Sequence, residues 1–408
     1  MHIVCLYLHY ASPDCPSGGR AYSLLRALGQ EHRVTVFTGT HYHALRQTDA
    51  FDWAPPGVTV RMLDVPYTNE MGPARRLAAY LGFPAWAGTK ASLASDADLL
   101  YAISTPLTTP MAAAAAARMQ DVPWVLEVRD LWPDVPIQMG AISSPLLQRA
   151  LRRMEQWLYR DAAHVVTVSP DMTAHVHNMG VPETQVTTLP QGTDLALLDR
   201  PDSHTPSTLR ERHDLGSAPV VLYAGAFGRA NDIPTLLDAA EQLADDSNAV
   251  FVFIGHGFYE KDIQTAARRL PNVCHVPPQP RHRMMPWFRL ATVSLVSFLD
   301  RPVLGTNAPA KLFDSLAAGT PVIVTNPGWM TRLVHRHNCG WAVPPSAPAA
   351  LANRISRVLA APKAATAAGQ NGASLAHARF DRAAQATTLE SIFRSALGPS
   401  SRGCGDVR

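Results

Sequence analysis

Apolar runs of β type alternate with helical patterns along most of the chain. HIVCLYLH precedes a helix expected from about Gly19 to Gly29, and VTVFTG follows it. ADLLYAIS, PWVLEVRD, AHVVTVS and QVTTLP continue the series. Short apolar runs separated by helices predict a parallel sheet covered on both faces. A polar, proline-bearing stretch from Asp199 to Gly216 interrupts the pattern and reads as a linker. A second series then begins at PVVLYAG and runs through AVFVFIG, NVCHVP, VSLVSF and PVIVTN. The expected organisation is a first α/β domain over 1–198, a linker over 199–216 and a second α/β domain over 217–379. A last helix over 380–397 has the option of packing back on the first domain, and 398–408 reads as a flexible tail. Two doubly wound domains in tandem place a ligand in the cleft between them, facing the carboxyl ends of the strands.

Helical punctuation is clearest at TLLDAAEQLADD, residues 235–246. Asp232 is placed to cap this helix and Pro234 suits its first turn. Leu236, Leu237, Ala240, Leu243 and Ala244 make one stripe. SPLLQRALRRMEQWLYR, residues 144–160, is amphipathic in the same way. Leu147, Leu151, Met154 and Leu158 form its apolar stripe, with Arg149, Arg152, Arg153 and Arg160 around the rest.

Composition narrows the classes. A length of 408 residues exceeds one ordinary core, so two domains are the default. With 47% hydrophobic and 17% charged residues, the chain suits a soluble globular protein, and its scattered cysteines suit the reducing cytoplasm. A net charge of +3 is too mild to argue for nucleic acid as a partner. The five cysteines are scattered without metal-ligand or C-x-x-C spacing, which predicts reduced thiols and no metal site. MHIVCLYLHY reads as a buried first strand, and no stretch approaches the roughly 20 apolar residues of a membrane span.

Two loops carry glycines between a strand and a helix. SPDCPSGGRAYSLL has Gly18 and Gly19; YAGAFGRANDIPTLL has Gly225, Gly228 and Arg229. Glycine lets backbone amides approach an anion, and the following helix N-terminus adds a favourable field. Neither loop is a G-x-x-x-x-G-K-S/T phosphate loop or a clean G-x-G-x-x-G, which disfavours an NTPase and a nicotinamide dehydrogenase. FIGHGF, with Gly255, His256 and Gly257, either lines the same cleft or simply turns the chain. In NAPAKLFDSLAAGTPVIV, Pro309 suits a first helical turn and Gly319 a stop. Lys311 and Asp314, three apart on one face, form an exposed ion pair or else serve a diphosphate and a ribose diol.

These residues resemble family-four glycosyltransferases of the GT-B fold, over nearly the whole chain. The similarity is greatest to bacterial O-antigen-type members related to L-fucosamine transferases. It is carried by GGRAYSLLRAL, EVRDLWPD, VTVSPDM, PQGTDL, YAGAFGRANDI, FIGHGF and APAKLFDSLAAGTPVI. The resemblance implies retaining transfer of a sugar from a nucleoside-diphosphate donor, a UDP-sugar first among them, without metal or other cofactor. The acceptor it implies is a glycan or a polyprenyl-linked glycan of a bacterial surface polysaccharide. Arg229 and Lys311 would hold the diphosphate, Gly18 and Gly19 would match the loop closing over the donor, and Asp314 would take ribose hydroxyls. Such groups stabilise the charge that develops on the leaving diphosphate.

Three positions depart from the family pattern. Thr306, beside Asn307, replaces the first acidic residue of E-x7-E, and Asp314 is a shorter carboxylate in the second place. Arg129 stands where many members carry a histidine beside the donor sugar. Asp130 is then either an acceptor-side contact or half of a buried Arg–Asp pair. A sugar-nucleotide epimerase or a non-catalytic sugar-nucleotide binder are the alternative functions. The basic helix at 144–160, with Arg75 and Arg76 nearby, reads as a solvated surface or as a dock for anionic lipid.

Overall fold

The computed structural model describes residues 1–12, 15, 19–41, 53–67, 71–94, 96–198, 205–245 and 248–398. They form two compact units, each built on one parallel sheet.

The first unit gathers Met1–Ser12, Ala21–Leu189 and the chain from Ala383 onward. Its strands are β1 (His2–Leu6), β2 (Arg33–His41), β3 (Val58–Tyr67), β4 (Leu99–Ile103), β5 (Trp124–Val128), β6 (His164–Thr167) and β7 (Val186–Thr188). They run in the order β3-β2-β1-β4-β5-β6-β7. β1 lies between β2 and β4, with Ile3 opposite both Val34 and Leu99. Every residue of β1, β4 and β5 is buried, as expected for parallel strands covered on both faces. The order reverses beside β1, so the loops after β1, β4 and β5 share the carboxyl edge where such sheets bind ligands.

The second unit gathers Pro13–Arg20 and Pro190–Arg382. Its strands are β8 (Val220–Ala224), β9 (Val250–Ile254), β10 (Val273–Val276), β11 (Val293–Val296), β12 (Val322–Val324) and β13 (Gly340–Ala342), ordered β10-β9-β8-β11-β12-β13. Here the reversal falls between β8 and β11. Val221, Tyr223, Phe227, Phe251 and Phe253 form its core with Leu236, Ala240 and Ile355.

Several boundaries differ from those read in the sequence. β3 and β13 were not anticipated. Both are edge strands, the first diluted by exposed Arg61 and Asp64 and the second only three half-buried residues long. The first unit ends at Leu189 rather than at 198, because the next residues bond within the second unit. Thr193 bridges to Asp381, and Arg289 donates to the Leu198 carbonyl at 2.6 Å. The helix placed at 235–246 spans Ile233–Gln242, and Asp232 holds its cap position without a side-chain cap bond. Asp232 instead has φ +46°, and its carboxylate accepts from the Ser346 backbone N–H at 3.2 Å and hydroxyl at 3.3 Å.

The last helix, Arg382–Ala396, delivers Ala386, Leu389, Ile392 and Phe393 to the core of the first unit. The basic helix runs Pro145–Asp161, with the Ser144 hydroxyl accepting from the Leu147 N–H. Its apolar stripe is buried only toward the end, at Leu158, next to Glu155 and Tyr159. Leu146 and Leu147 are 75% and 47% exposed. Of the linker stretch 199–216, residues 199–204 lie outside the described residues, as does the tail at 399–408, and the rest of the linker carries a helix at Pro206–Arg212.

Candidate functional site

The carboxyl edge of the second sheet carries three glycines held by close backbone contact. Gly225, directly after β8, has φ +135°. A side chain there would begin 3.2 Å from Lys311 Cε and 3.3 Å from its Nζ. Gly255, after β9, has φ +152°, and a Cβ on it would stand 1.9 Å from the Gly225 carbonyl oxygen. Gly257 has φ +143°, and a Cβ on it would stand 3.0 Å from the Phe227 backbone. The Phe227 N–H donates to the His256 carbonyl at 2.8 Å, fastening the two loops together. Only residues without Cβ allow this stacking, so the sequence Gly-x-Phe-Gly beside Gly-His-Gly is a packing requirement as well as a site. Gly228 precedes a short turn at Arg229–Asn231, from which the exposed Arg229 lays its guanidinium over the Phe258 ring, 3.6 Å from the centroid.

Lys311 enters this edge from the helix Ala310–Ala317, whose cap position is Pro309. Its side chain is buried, and among the described residues its ammonium has no hydrogen-bond partner. The Tyr223 ring lies 3.6 Å away. A buried ammonium without a partner is costly, and a lysine in the first turn also opposes the helix dipole. Burial pushes the Lys311 pKa down to about 7. An anion arriving here would supply the missing partner. Nearby, Thr306 donates its hydroxyl to the Val303 carbonyl at 2.7 Å. The Asn307 carbonyl accepts from the Trp329 indole at 2.9 Å, while its buried amide oxygen has no partner among the described residues.

Asp314 is not paired with Lys311. Its carboxylate takes two bonds from Arg281, at 2.9 and 3.2 Å, and one from the Thr193 hydroxyl at 2.7 Å. The same guanidinium lies 3.6 Å from Asp194, which accepts from Arg382 at 2.8 Å. Arg382 also donates to the Gln191 carbonyl, as does Arg20, which reaches the Pro190 carbonyl too. Burial works against the charge on Arg281, but Asp314 and Asp194 outweigh it and hold its pKa above the ordinary value. Burial and the neighbouring Arg281 push Arg382 down to about 10. Gly19 closes this lattice, since a Cβ on it would meet Arg382 at 3.3 Å and Arg281 at 3.4 Å.

A glycosyl transferase 4-like domain model matches residues 18–192, and a glycosyl transferases group 1 model matches residues 207–375. The chain belongs to the family-four-like glycosyltransferases. The probable glycosyltransferase WbjE of Pseudomonas aeruginosa is 26% identical over 246 residues, which are 58% of this chain and 59% of that protein. The match therefore spans less than two thirds of that relative. Among solved structures, a sucrose-phosphate synthase from Thermosynechococcus elongatus gives a TM-score of 0.77 at 20% identity, covering 98% of this chain and all of that one. HepE from Anabaena, in complex with UDP and glucose, gives 0.73 at 18% identity, covering 97% of this chain and 100% of the other. These likenesses establish the GT-B fold for this family-four-like chain.

The remaining residues of interest stand at the carboxyl edge of the first sheet. Arg129 directly follows β5 and donates to the Tyr7 hydroxyl at 2.7 Å, while its backbone N–H donates to the Ser104 hydroxyl at 3.1 Å. Asp130 accepts from the Thr105 hydroxyl at 3.4 Å. Burial raises the Asp130 pKa, with Arg129 and the Thr105 bond opposing it. Behind them, the buried Glu127 accepts from the Tyr101 hydroxyl at 2.7 Å.

The structure thus brings Gly225, Gly255, Gly257 and Lys311 together, sets Gly19 against the lattice that holds Asp314, and leaves Arg129 and Asp130 on the first sheet. Gly18 lies outside the described residues. Spacing in the sequence singles out none of Tyr223, Arg281, Arg382, Arg20 and Asp194. Tyr223, Arg20 and Asp194 sit inside YAGAFGRANDI, GGRAYSLLRAL and PQGTDL. Arg281 and Arg382 had no local signal, because their partners are distant in sequence.

Proposed function

We propose that this protein transfers a sugar from a nucleoside-diphosphate sugar, a UDP-sugar first among candidates, to a glycan or polyprenyl-linked acceptor of a bacterial surface polysaccharide. The observation that carries this reading is Lys311, a buried ammonium with no hydrogen-bond partner among the described residues, held beside Gly225 where the second sheet reverses its order. A diphosphate would pair that charge, with Arg229 close in sequence as a second cation. The UDP bound by HepE supports the choice of base.

Departure of the diphosphate places negative charge on its oxygens, and fixed cations stabilise that state more than the ground state. In this reading they do so without a resident metal or cofactor, and the anomeric configuration is retained. A donor phosphate oxygen takes the acceptor proton on the face from which the diphosphate departs. Asp130, its pKa raised by burial, orients acceptor or donor hydroxyls together with Arg129.

The acceptor's polyprenyl chain would place the enzyme at the inner face of the cytoplasmic membrane. No helix among the described residues is long and apolar enough to cross a membrane. Exposed Leu77 and Leu81 with Arg75 on Pro73–Ser92, and exposed Leu146 and Leu147 with Arg149 on Pro145–Asp161, suit a surface dock instead.

The test incubates purified protein with UDP-, GDP- and dTDP-sugars, with and without lipid extract, and follows nucleoside diphosphate release and anomeric configuration. Release that needs extract and yields a product of retained configuration supports the proposal. A new sugar isomer, or binding without turnover, removes it. Vesicle flotation of wild type and the Leu146→Ser, Leu147→Ser pair tests the dock. Equal flotation on neutral and anionic vesicles removes that part.

A further inference from the structure

Lys311 and the glycine loop meet on a single side chain. Tyr223, on β8, is 1% exposed and wedged between Phe227 and Phe253, with ring centroids 6.2 and 6.1 Å away. Its face lies 3.6 Å from Lys311 Nζ. Its hydroxyl donates to the Ala226 carbonyl at 2.9 Å, inside the loop that begins at Gly225. Gly225 in turn stands 3.3 Å, measured from its would-be Cβ, from the same Nζ. The loop, the ring and the ammonium therefore fix one another, and the ring faces of the core hold all three.

We infer that Tyr223 is a positioning residue that sets both the place and the charge of the Lys311 ammonium and ties it to the geometry of the 225–228 loop. A desolvated cation over an aromatic face is stabilised by the ring quadrupole, which substitutes in part for the missing hydrogen bonds. The ring supplies enough attraction to keep the amine aimed at the loop, yet too little to saturate its three donors. Those donors stay available for an anion, and an arriving diphosphate completes protonation of the amine by uptake from solvent. The role in catalysis rests on the donor reading given above; the coupling of ring and lysine does not.

The experiment separates the two. The chain has four lysines, Lys90, Lys261, Lys311 and Lys363, so protein carrying [ε-13C]lysine gives one resolvable signal for each. In ligand-free wild type the Lys311 signal should titrate near 7, the value that burial imposes. Tyr223→Phe should leave that midpoint in place. Tyr223→Leu should lower it by about one pH unit through loss of the ring face. Stepwise fluorination of a phenylalanine at 223, which weakens the ring face at nearly constant shape, should lower it in the same sense and serves where Tyr223→Leu does not fold.

A midpoint that is unchanged or raised across the leucine and fluorinated variants overturns the inference. UDP is then added. Tyr223→Leu should weaken UDP binding roughly ten-fold at pH 7 and Tyr223→Phe about three-fold, the latter from the lost bond to Ala226. Wild type that titrates as described but binds no UDP sinks the donor reading alone. Wild type that binds UDP, with Lys311 indifferent to residue 223, sinks the positioning role alone.

Discussion

Asp314 shows how one carboxylate can be committed before any ligand arrives. Two Arg281 bonds and one from Thr193 already occupy it. Asp314→Asn should leave the buried guanidinium short of a counter-charge and destabilise the protein by roughly 3–5 kcal/mol. Thermal melting checks this, and Arg281→Met added to the same chain should recover most of the loss. Melting that is unchanged in the single variant would return Asp314 to a purely ligand-facing role. Lys311 gives a pH prediction of definite sign. Its folded pKa, about 7, lies below the 10.5 of the free side chain, so the unfolded chain binds more protons between those values. Stability from this group therefore rises with pH across that window and falls as pH drops toward 7. Denaturant titrations should show the slope in wild type and its loss in Lys311→Met, the difference cancelling other titrating groups.

At the scale of elements, the loops after β8 and β9 work as a pair of glycine backbones. Gly255→Ala should be more damaging than Gly225→Ala. The first new methyl group would overlap a carbonyl oxygen, 1.9 Å away, whereas the second meets the end of the Lys311 side chain at 3.2 Å. Gly140→Ala is a control, since its φ is +77° but no described residue lies within 4 Å of a Cβ placed there. It should cost about 1 kcal/mol, from backbone strain alone. Melting temperatures and UDP affinity together rank the three. An order other than Gly255, Gly225, Gly140 in melting would contradict the packing described. These loops were legible in the sequence, because glycine between a strand and a helix has a local cause. The partner of Asp314 was not, since Arg281 lies thirty-three residues away and acquires its role only through folding. Edge strand β3 escaped for a second reason: with one side unpaired it tolerates Arg61 and Asp64, which blur the apolar signal.

Across the whole molecule, the two parallel sheets follow from the alternation of apolar runs and helices, whereas their strand orders and the path of the chain between units do not. The first unit includes the last helix, with Phe393 edge-on to Tyr101, ring centroids 5.1 Å apart, and His32 bonded to Glu390 at 3.0 Å. Phe393→Ala should remove roughly 3–5 kcal/mol from the first unit. Hydrogen exchange should show faster opening of β1 and β4 while β8 and β9 keep their protection. Equal loss of protection in both sheets would mean that the helix does not belong to the first core alone.

That membership also fixes an order of completion during synthesis. The buried apolar residues of the second unit, the last being Phe380, are polymerised before Ala386, Leu389, Ile392 and Phe393 exist. On the ribosome the unit begun first is therefore the one finished last, and an arrested chain lacking its final helix carries a closed second core and an open first one.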